Sequence, residues 1–159
     1  MKILMVGKTG VFDTLAVALG YLNQTDIACY SYFGDLATEK ARRILEVGEE
    51  QGHKVFIVNH KNPRIIMENN HELATLSGLG EQESLQVIPL SIAGENLSWL
   101  LIKLASLPLL GKLFLNWAKR RTQNRLPFLL KLGQDLYRNY AVNSRERKEM
   151  IAAAKPIHK

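Results

Sequence analysis

The chain has 159 residues, of which 47% are hydrophobic and 23% charged, which suits one domain with a sizeable core and excludes a disordered polypeptide. Its one cysteine, Cys29, excludes an internal disulfide and is expected to be a buried, inert thiol because it lies in an apolar run. The net charge of +6 is unevenly divided, since residues 1–97 hold 8 basic and 12 acidic side chains and residues 98–159 hold 13 and 3.

The chain begins with a strand pattern, a helix pattern and a second strand pattern. KILMV (2–6) is a short apolar run and predicts a buried strand. Apolar residues then recur at helical spacing, which predicts a helix over residues 11–22 with its apolar face on a sheet. DIACYSYF (26–33) is aromatic and apolar and predicts a second strand.

The next segment has two interpretations. Residues 35–52 are rich in helix formers, and Gly52 could be the C-cap, so a helix followed by the strand KVFIVN (54–59) is preferred. The alternative is a β-hairpin that turns at Glu50–Gly52, with residues 44–48 as its first strand.

Residues 63–90 complete the alternation of helices and strands. Asn62 suits the N-cap of a helix and Pro63 suits its first position, and this helix would end near Gly78. LQVIPL (85–90) predicts a last strand, whose proline indicates a strand end or an edge position. We therefore expect residues 1–94 to form an α/β core with a mostly parallel sheet of about four strands.

From residue 95 the chain becomes leucine-rich and basic, and it predicts a helical layer packed on the core. Pro108 should separate two helices, and in the second Leu110, Leu113, Phe114 and Trp117 form the apolar face. Another helix should begin near Pro127, with its apolar stripe at Leu129, Leu132, Leu136 and Tyr140. Residues 144–153 predict one more short helix, and residues 155–159 a frayed end.

Residues 98–117 are the best candidate for a membrane span, but their composition argues against one. Ten Leu, Ile and Phe side chains contribute about −5 kcal/mol to insertion, whereas Lys103 and Lys112 near the centre oppose it by about +6. The N-terminal apolar run is too short for a signal peptide, so a cytoplasmic location is expected.

GKTG (7–10) contains the last letters of a phosphate-binding P-loop but not its geometry. The first glycine of that motif would fall on Lys2, and its strand would precede the start of the chain. Two interpretations are left: weaker anion binding, because the helix that follows would present free backbone N–H groups, or simply the turn residues that a βα junction requires.

Polar residues collect where the predicted strands end. In a parallel sheet the carboxyl ends of the strands share one edge, so a ligand site is expected there. Its predicted residues are Gly7, Lys8, Thr9, Gly10, Asp35, His60, Lys61, Glu95 and Asn96. If the site is catalytic, His60 is the proton carrier, because imidazole titrates near neutral pH, and Asp35 or Glu95 could orient it. No cofactor or metal is predicted, since the four histidines are scattered without ligand spacing.

The basic run AKRRTQNR (118–125) suggests other partners. Lys119, Arg120, Arg121 and Arg125 could contact nucleic-acid phosphates, with Trp117 and Phe128 beside them. The same residues also suit an anionic membrane surface, an acidic protein, or a solvated helix end. The leucine-rich helices could also form a homodimer.

Three stretches carry a family resemblance. KILMVGKTG with LAVALGYL gives a strand, a small-residue loop and an Ala-rich helix ending in Leu-Gly. VGEEQGHKVFIVN (47–59) gives a Gly-acidic stretch that runs into a Val-aromatic strand, and ENLSWLLIKL (95–104) gives an Asn-Leu pair, at Asn96, that opens an apolar segment. This layout resembles a bacterial family of small proteins known only as a domain of unknown function.

The resemblance favours the hairpin for residues 44–59 and implies no established activity. The first loop of the family reads Gly-Gly-x-His-Ser-Ser, where this chain has VGKTGVF, so no histidine–serine site is transferred. We therefore expect a protein that binds a small anionic ligand at the strand ends. The alternatives are an interaction protein that uses its basic C-terminal helices, and an enzyme acting on a phosphorylated metabolite.

Overall fold

The computed structural model describes residues 1–62, 65–66 and 85–153, and of residues 141–153 only the backbone. Four strands form one sheet in the order β2-β3-β1-β4. They are β1 (Lys2–Gly7), β2 (Leu45–Glu50), β3 (His53–Asn59) and β4 (Leu85–Pro89). Strand β1 is parallel to β3 and β4, and β2 is antiparallel to β3. The fold is therefore α/β with a mixed, mostly parallel sheet, and the prediction of Pro89 in an edge strand is confirmed.

Five helices accompany the sheet within the described residues. They are α1 (Leu15–Tyr21), α2 (Leu36–Ala41), α3 (Glu95–Leu104), α4 (Gly111–Asn124) and α5 (Leu126–Ala153). Every residue of α1 is buried, because its wholly apolar sequence packs both on the sheet and on α5. A wide turn, Gly10–Thr14, leads from β1 into α1, and in it the Thr14 N–H donates to Thr9 O at 3.1 Å.

The helix preferred for residues 35–52 is wrong beyond Ala41, and the hairpin alternative is confirmed. Gln51 and Gly52 have φ values of 50° and 77°, the two positive angles that a two-residue turn matched to strand twist requires. Leu45 and Val47 pack on the core from β2, and the pairing shifts between Glu46 and Gly48. Burial of these alternate residues outweighs the helix propensity of the surrounding charged residues.

The strand predicted for residues 26–33 is absent. Ile27–Cys29 forms a short 3-10 turn, capped by the Asp26 carboxylate, which accepts from Ala28 N at 2.9 Å. The hydroxyl groups of Tyr30 and Tyr32 donate to backbone carbonyls of the β2 strand. The aromatic residues of this segment thus hold the hairpin through side chains rather than by strand pairing.

Cys29 is exposed, which corrects the expectation of a buried thiol. Its Sγ donates to Asp26 Oδ2 at 2.9 Å, and this hydrogen bond raises the pKa of the thiol. A raised pKa lowers the thiolate fraction and hence the reactivity at neutral pH.

In the C-terminal part, the helix break at Pro108 and the helix start near Pro127 are confirmed. Residues 144–153 continue α5 instead of forming a separate helix. Leu129 is fully buried, and the rest of the predicted α5 stripe packs against the same core. The helix predicted from Pro63 to Gly78 lies outside the described residues except at 65–66, and so does the predicted frayed end at 155–159.

The apolar face predicted for α4 does not enter the core. Leu110, Leu113 and Trp117 are about half exposed, whereas Ala118 and Thr122 are the buried residues in the second half of this helix. Within the described residues, no helix combines the length and apolar character needed to cross a bilayer.

Candidate functional site

The carboxyl ends of β1, β3 and β4 lie side by side, and their loops begin in register. His60 N donates to Gly7 O, and Leu90 N donates to Val6 O, both at 2.8 Å. Three of the four predicted strand ends therefore converge. The fourth, around Asp35, does not follow a strand, and the Asp35 carboxylate instead caps α2 by accepting from Ala37 N and Thr38 N.

Two carboxylates occupy the backbone N–H groups of the loop after β1. Glu95, at the start of α3, accepts through Oε1 from Lys8 N and from Thr9 N, the latter at 3.2 Å. Glu39, in α2, accepts from Gly10 N at 3.0 Å and from Val11 N at 2.8 Å, one through each oxygen. The donors that could have held a phosphate thus already hold anions of the protein itself, so a ligand here would bind through side chains.

Both carboxyl groups are buried, and burial is the main cause of their altered acidity. It raises the pKa of Glu39 and of Glu95 above the ordinary value, although the backbone N–H donors act in the opposite direction. The nearby charge of Asp13 also raises both pKa values. Asn59 fixes Glu39 further, because its amide donates to Glu39 Oε1 at 2.9 Å and to the Glu39 carbonyl at 2.8 Å.

Asp13 is a third buried carboxylate beside this loop, and the basic run satisfies it. Arg125 Nη1 lies 3.1 Å from Asp13 Oδ2, and Thr122 Oγ1 donates to Oδ1 at 2.8 Å. Arg125 and Arg121 also donate to the carbonyls of Ala93 and Gly94. Part of the run predicted to contact nucleic acid therefore anchors α4 and the start of α5 to the strand-end loops.

A cleft of about 210 Å³ opens beside the two carboxylates, and we call it the cationic cleft. Glu39 and Asn59 contribute to its wall, together with Trp99 and Ile102 from α3 and Ser106 from the turn after α3. Its other lining residues are basic: Lys8, Lys40, Arg42, His60, Lys61 and Lys103.

The five lysine and arginine side chains of the cationic cleft face one carboxylate, Glu39, which is already hydrogen-bonded. In the described part of the chain none of the five forms a salt bridge. Lys8 Nζ donates to Asn96 Oδ1, and Lys103 Nζ lies 4.0 Å from the centre of the Trp99 ring. The described lining therefore concentrates positive charge, and Lys8 also interacts with Glu95, whose pKa it lowers against the larger effect of burial.

His60 is positioned by its own loop. Asn62 N donates to His60 Nδ1 at 3.1 Å, and Asn62 O lies 2.7 Å from the same atom. The two contacts belong to opposite tautomers, since the Asn62 carbonyl accepts from a protonated Nδ1 and Asn62 N donates to an unprotonated one.

The structure divides the predicted site residues into three groups. Lys8, His60 and Lys61 line the cationic cleft. Glu95, Asn96 and the loop residues Gly7, Thr9 and Gly10 build its support, with Thr9 Oγ1 accepting from Asp13 N at 3.3 Å. Asp35 caps α2 outside the lining.

Sequence reasoning missed Glu39, Lys40, Arg42, Trp99 and Lys103. Glu39, Lys40 and Arg42 lie in α2 or directly after it, and Trp99 and Lys103 lie in α3. The prediction used only residues that follow strands, so it left out both helices. The only local signal was the i, i+4 spacing of Trp99 and Lys103, which places both on one helix face.

The histidines do not form a metal site in what the structure describes. His53 Nδ1 lies 2.8 Å from the Tyr21 hydroxyl, and His71 and His158 fall outside the described residues. Among the described side chains, no group of three His, Cys, Asp or Glu residues is arranged to hold a metal ion.

Comparison of the chain with protein-family models, with curated proteins and with solved structures found no match.

Proposed function

We propose that the protein binds a small phosphorylated molecule in the cationic cleft, with Lys8, Arg42, His60 and Lys61 as the residues that contact the phosphate. The observation that carries this proposal is the grouping of five lysine and arginine side chains, without salt bridges among the described residues, around one small cleft at the strand ends. Such a concentration of positive charge attracts anions and speeds their association.

The size of the cleft favours a small ligand. About 210 Å³ is less than the roughly 300–1,000 Å³ of pockets that hold drug-sized molecules. A phosphate ester with a few carbon atoms suits this volume better than a dinucleotide does.

The residue types favour phosphate over an uncharged group. The Arg42 guanidinium can donate two parallel hydrogen bonds to a phosphate, and the lysines add point charges. Because the loop N–H groups are held by Glu39 and Glu95, recognition depends on these side chains and not on the backbone.

Calorimetric titration of the full chain with inorganic phosphate and with glycerol phosphate tests the proposal. We expect Arg42→Gln and Lys61→Gln each to weaken binding by about tenfold, since each removes a charge-assisted hydrogen bond. Arg43→Gln is the matched control, because Arg43 is exposed, adjacent in sequence and outside the cleft lining.

Two results would contradict the proposal. One is the lack of any heat or thermal stabilisation beyond that produced by sodium chloride of equal ionic strength. The other is an equal loss of binding in Arg42→Gln and Arg43→Gln, which would indicate a general charge effect.

A further inference from the structure

The exposed hydrophobic side chains of the C-terminal helices form a surface that the cationic cleft does not explain. Twelve large hydrophobic residues are exposed in the described part of the chain, and eight of them lie between residues 97 and 128. We call these eight the apolar surface: Leu97, Leu100, Leu107, Leu109, Leu110, Leu113, Trp117 and Phe128. Contiguous apolar patches mark interaction sites, and of these eight residues Leu97 and Trp117 line one groove.

The turn between α3 and α4 is the tip of this surface. Leu109 is 95% exposed, and Leu107 and Leu110 on either side of it are about half exposed. The approach to the turn is ordered by backbone hydrogen bonds, from Ser106 N to Lys103 O at 3.1 Å and from Leu107 N to Leu104 O at 3.0 Å. The tip therefore presents leucines to the surroundings from a hydrogen-bonded turn.

Aromatic and basic side chains lie beside the leucines. A groove of about 450 Å³ combines the apolar residues Leu97, Leu101 and Trp117 with Arg120, Arg121 and Arg125. Tryptophan and arginine are the side chains that favour the boundary between lipid tails and headgroups.

The charge of this region is of one sign. Residues 96–131 contain seven lysines and arginines and no aspartate or glutamate. Arg125 is paired with Asp13, so a second copy of the chain would bring the remaining six like charges against six, which opposes self-association through this surface. A nucleic acid would match the charge, but it would leave the leucines of the tip in water.

An anionic lipid bilayer matches both the exposed leucines and the positive charge of this region. We infer that the apolar surface docks on an anionic membrane surface, with Leu107, Leu109 and Leu110 at the acyl boundary and the exposed Lys112 and Arg120 at the lipid phosphates. Amphipathic helices with basic rims bind bilayers in this way, lying on the membrane without spanning it. This inference uses residues other than the phosphate-contacting residues of the cationic cleft, so either proposal can fail alone.

Co-sedimentation of the full chain with lipid vesicles tests the inference. We expect binding to vesicles in which about a third of the lipid is phosphatidylserine, and at least about tenfold weaker partitioning into pure phosphatidylcholine. Raising sodium chloride from about 0.1 M to about 0.5 M should also weaken binding several-fold, because the electrostatic attraction is screened.

Variants of the tip test the apolar contribution. Leu109→Ser with Leu110→Ser should reduce partitioning by about tenfold or more, because apolar area buried at the acyl boundary is lost. Ile44→Ser is the matched control, since Ile44 is 61% exposed and lies outside the apolar surface. All three positions are exposed, so the variants should fold normally, and circular dichroism checks this.

Variants of the basic rim test the electrostatic contribution. Arg120→Gln and Lys112→Gln should each reduce partitioning by about fivefold. Arg42→Gln in the cationic cleft should leave it unchanged, which separates this test from that of the phosphate site.

Several outcomes would overturn the inference. Equal binding to neutral and anionic vesicles would do so, as would full binding by the double tip variant. Sedimentation velocity showing a dimer that Leu109→Ser dissociates, without vesicle binding, would assign the surface to a second copy. Binding to a single-stranded oligonucleotide but not to vesicles would assign it to nucleic acid.

Discussion

Glu39 in α2 and Glu95 in α3 together accept hydrogen bonds from the backbone N–H groups of four consecutive residues, Lys8 to Val11. The positive end of a βα junction, where many proteins hold a ligand anion, is here neutralised by the chain itself. The two glutamates differ in one respect, since Glu39 uses both carboxylate oxygens and Glu95 uses one for both donors.

Glu39→Gln should destabilise the protein more than Glu95→Gln. A glutamine at position 39 would place an NH₂ group against one of the two N–H donors and leave that donor unsatisfied, at a cost of about 2 kcal/mol. A glutamine at position 95 can keep its one oxygen where Glu95 Oε1 accepts, so we expect a change within about 1 kcal/mol. Urea unfolding at neutral pH measures both values, and equal destabilisation would show that the two contacts are equivalent.

The raised pKa of Glu95 predicts a pH dependence of stability. A carboxyl group whose pKa is higher in the folded state binds its proton more tightly there, so its contribution falls as pH rises from the unfolded pKa through the folded pKa. The unfolding free energy of the wild type minus that of Glu95→Gln should therefore decrease from about pH 4 upwards and then level off. Unfolding curves between about pH 4 and about pH 7 measure this difference, and an increase with pH would contradict the prediction.

The Asp13–Arg125 pair should contribute strongly to folding stability because its carboxylate is fully buried. Arg125→Met leaves the fully buried Asp13 carboxylate without its counter-charge, and we expect a loss of about 3 kcal/mol. Arg138→Met is the control, since Arg138 and Asp135 are exposed and 3.9 Å apart, and it should cost less than about 1 kcal/mol. Adding Asp13→Asn should recover part of the loss in Arg125→Met, and a purely additive double variant would argue against charge coupling.

The crossing of α1 and α5 should not tolerate a side chain at Gly133. A Cβ atom there would lie 2.0 Å from Val17 O, and one at Gly20 would lie 2.1 Å from Leu130 O. Alanine normally improves a helix by about 1 kcal/mol over glycine, but here we expect Gly133→Ala to destabilise by about 2 kcal/mol because the helices must separate.

Thermal unfolding measures the effect of Gly133→Ala, and a lowering of the midpoint by about 6 °C is expected. Asn116→Ala, at an exposed position in α4, is the control and should be neutral or slightly stabilising. A higher unfolding midpoint in Gly133→Ala would show that α1 and α5 leave room for a side chain at this crossing.

Local patterns predicted much of the fold. Strands β1, β3 and β4 each contain a short apolar run, and the helix after β1 and the break at Pro108 follow from helical spacing and from proline geometry. The error at residues 42–52 has a clear cause, because glutamate and arginine favour helix locally while Leu45 and Val47 gain more by packing on the core from a strand. The prediction of a strand at residues 26–33 is wrong for a related reason, since aromatic residues also serve as packing groups in turns.

By itself, the sequence determined that the polar residues after β1, β3 and β4 would meet, because parallel strands share a direction and so bring their carboxyl ends to one edge. Only the tertiary structure decided what surrounds that edge. Glu39 reaches the loop across 29 residues and Glu95 across 87, and the paths of α2 and α3 also bring Arg42 and Lys103 to the cleft. Such contacts depend on how whole helices pack, which is set by the total burial of the chain and not by the spacing of residues within any one segment.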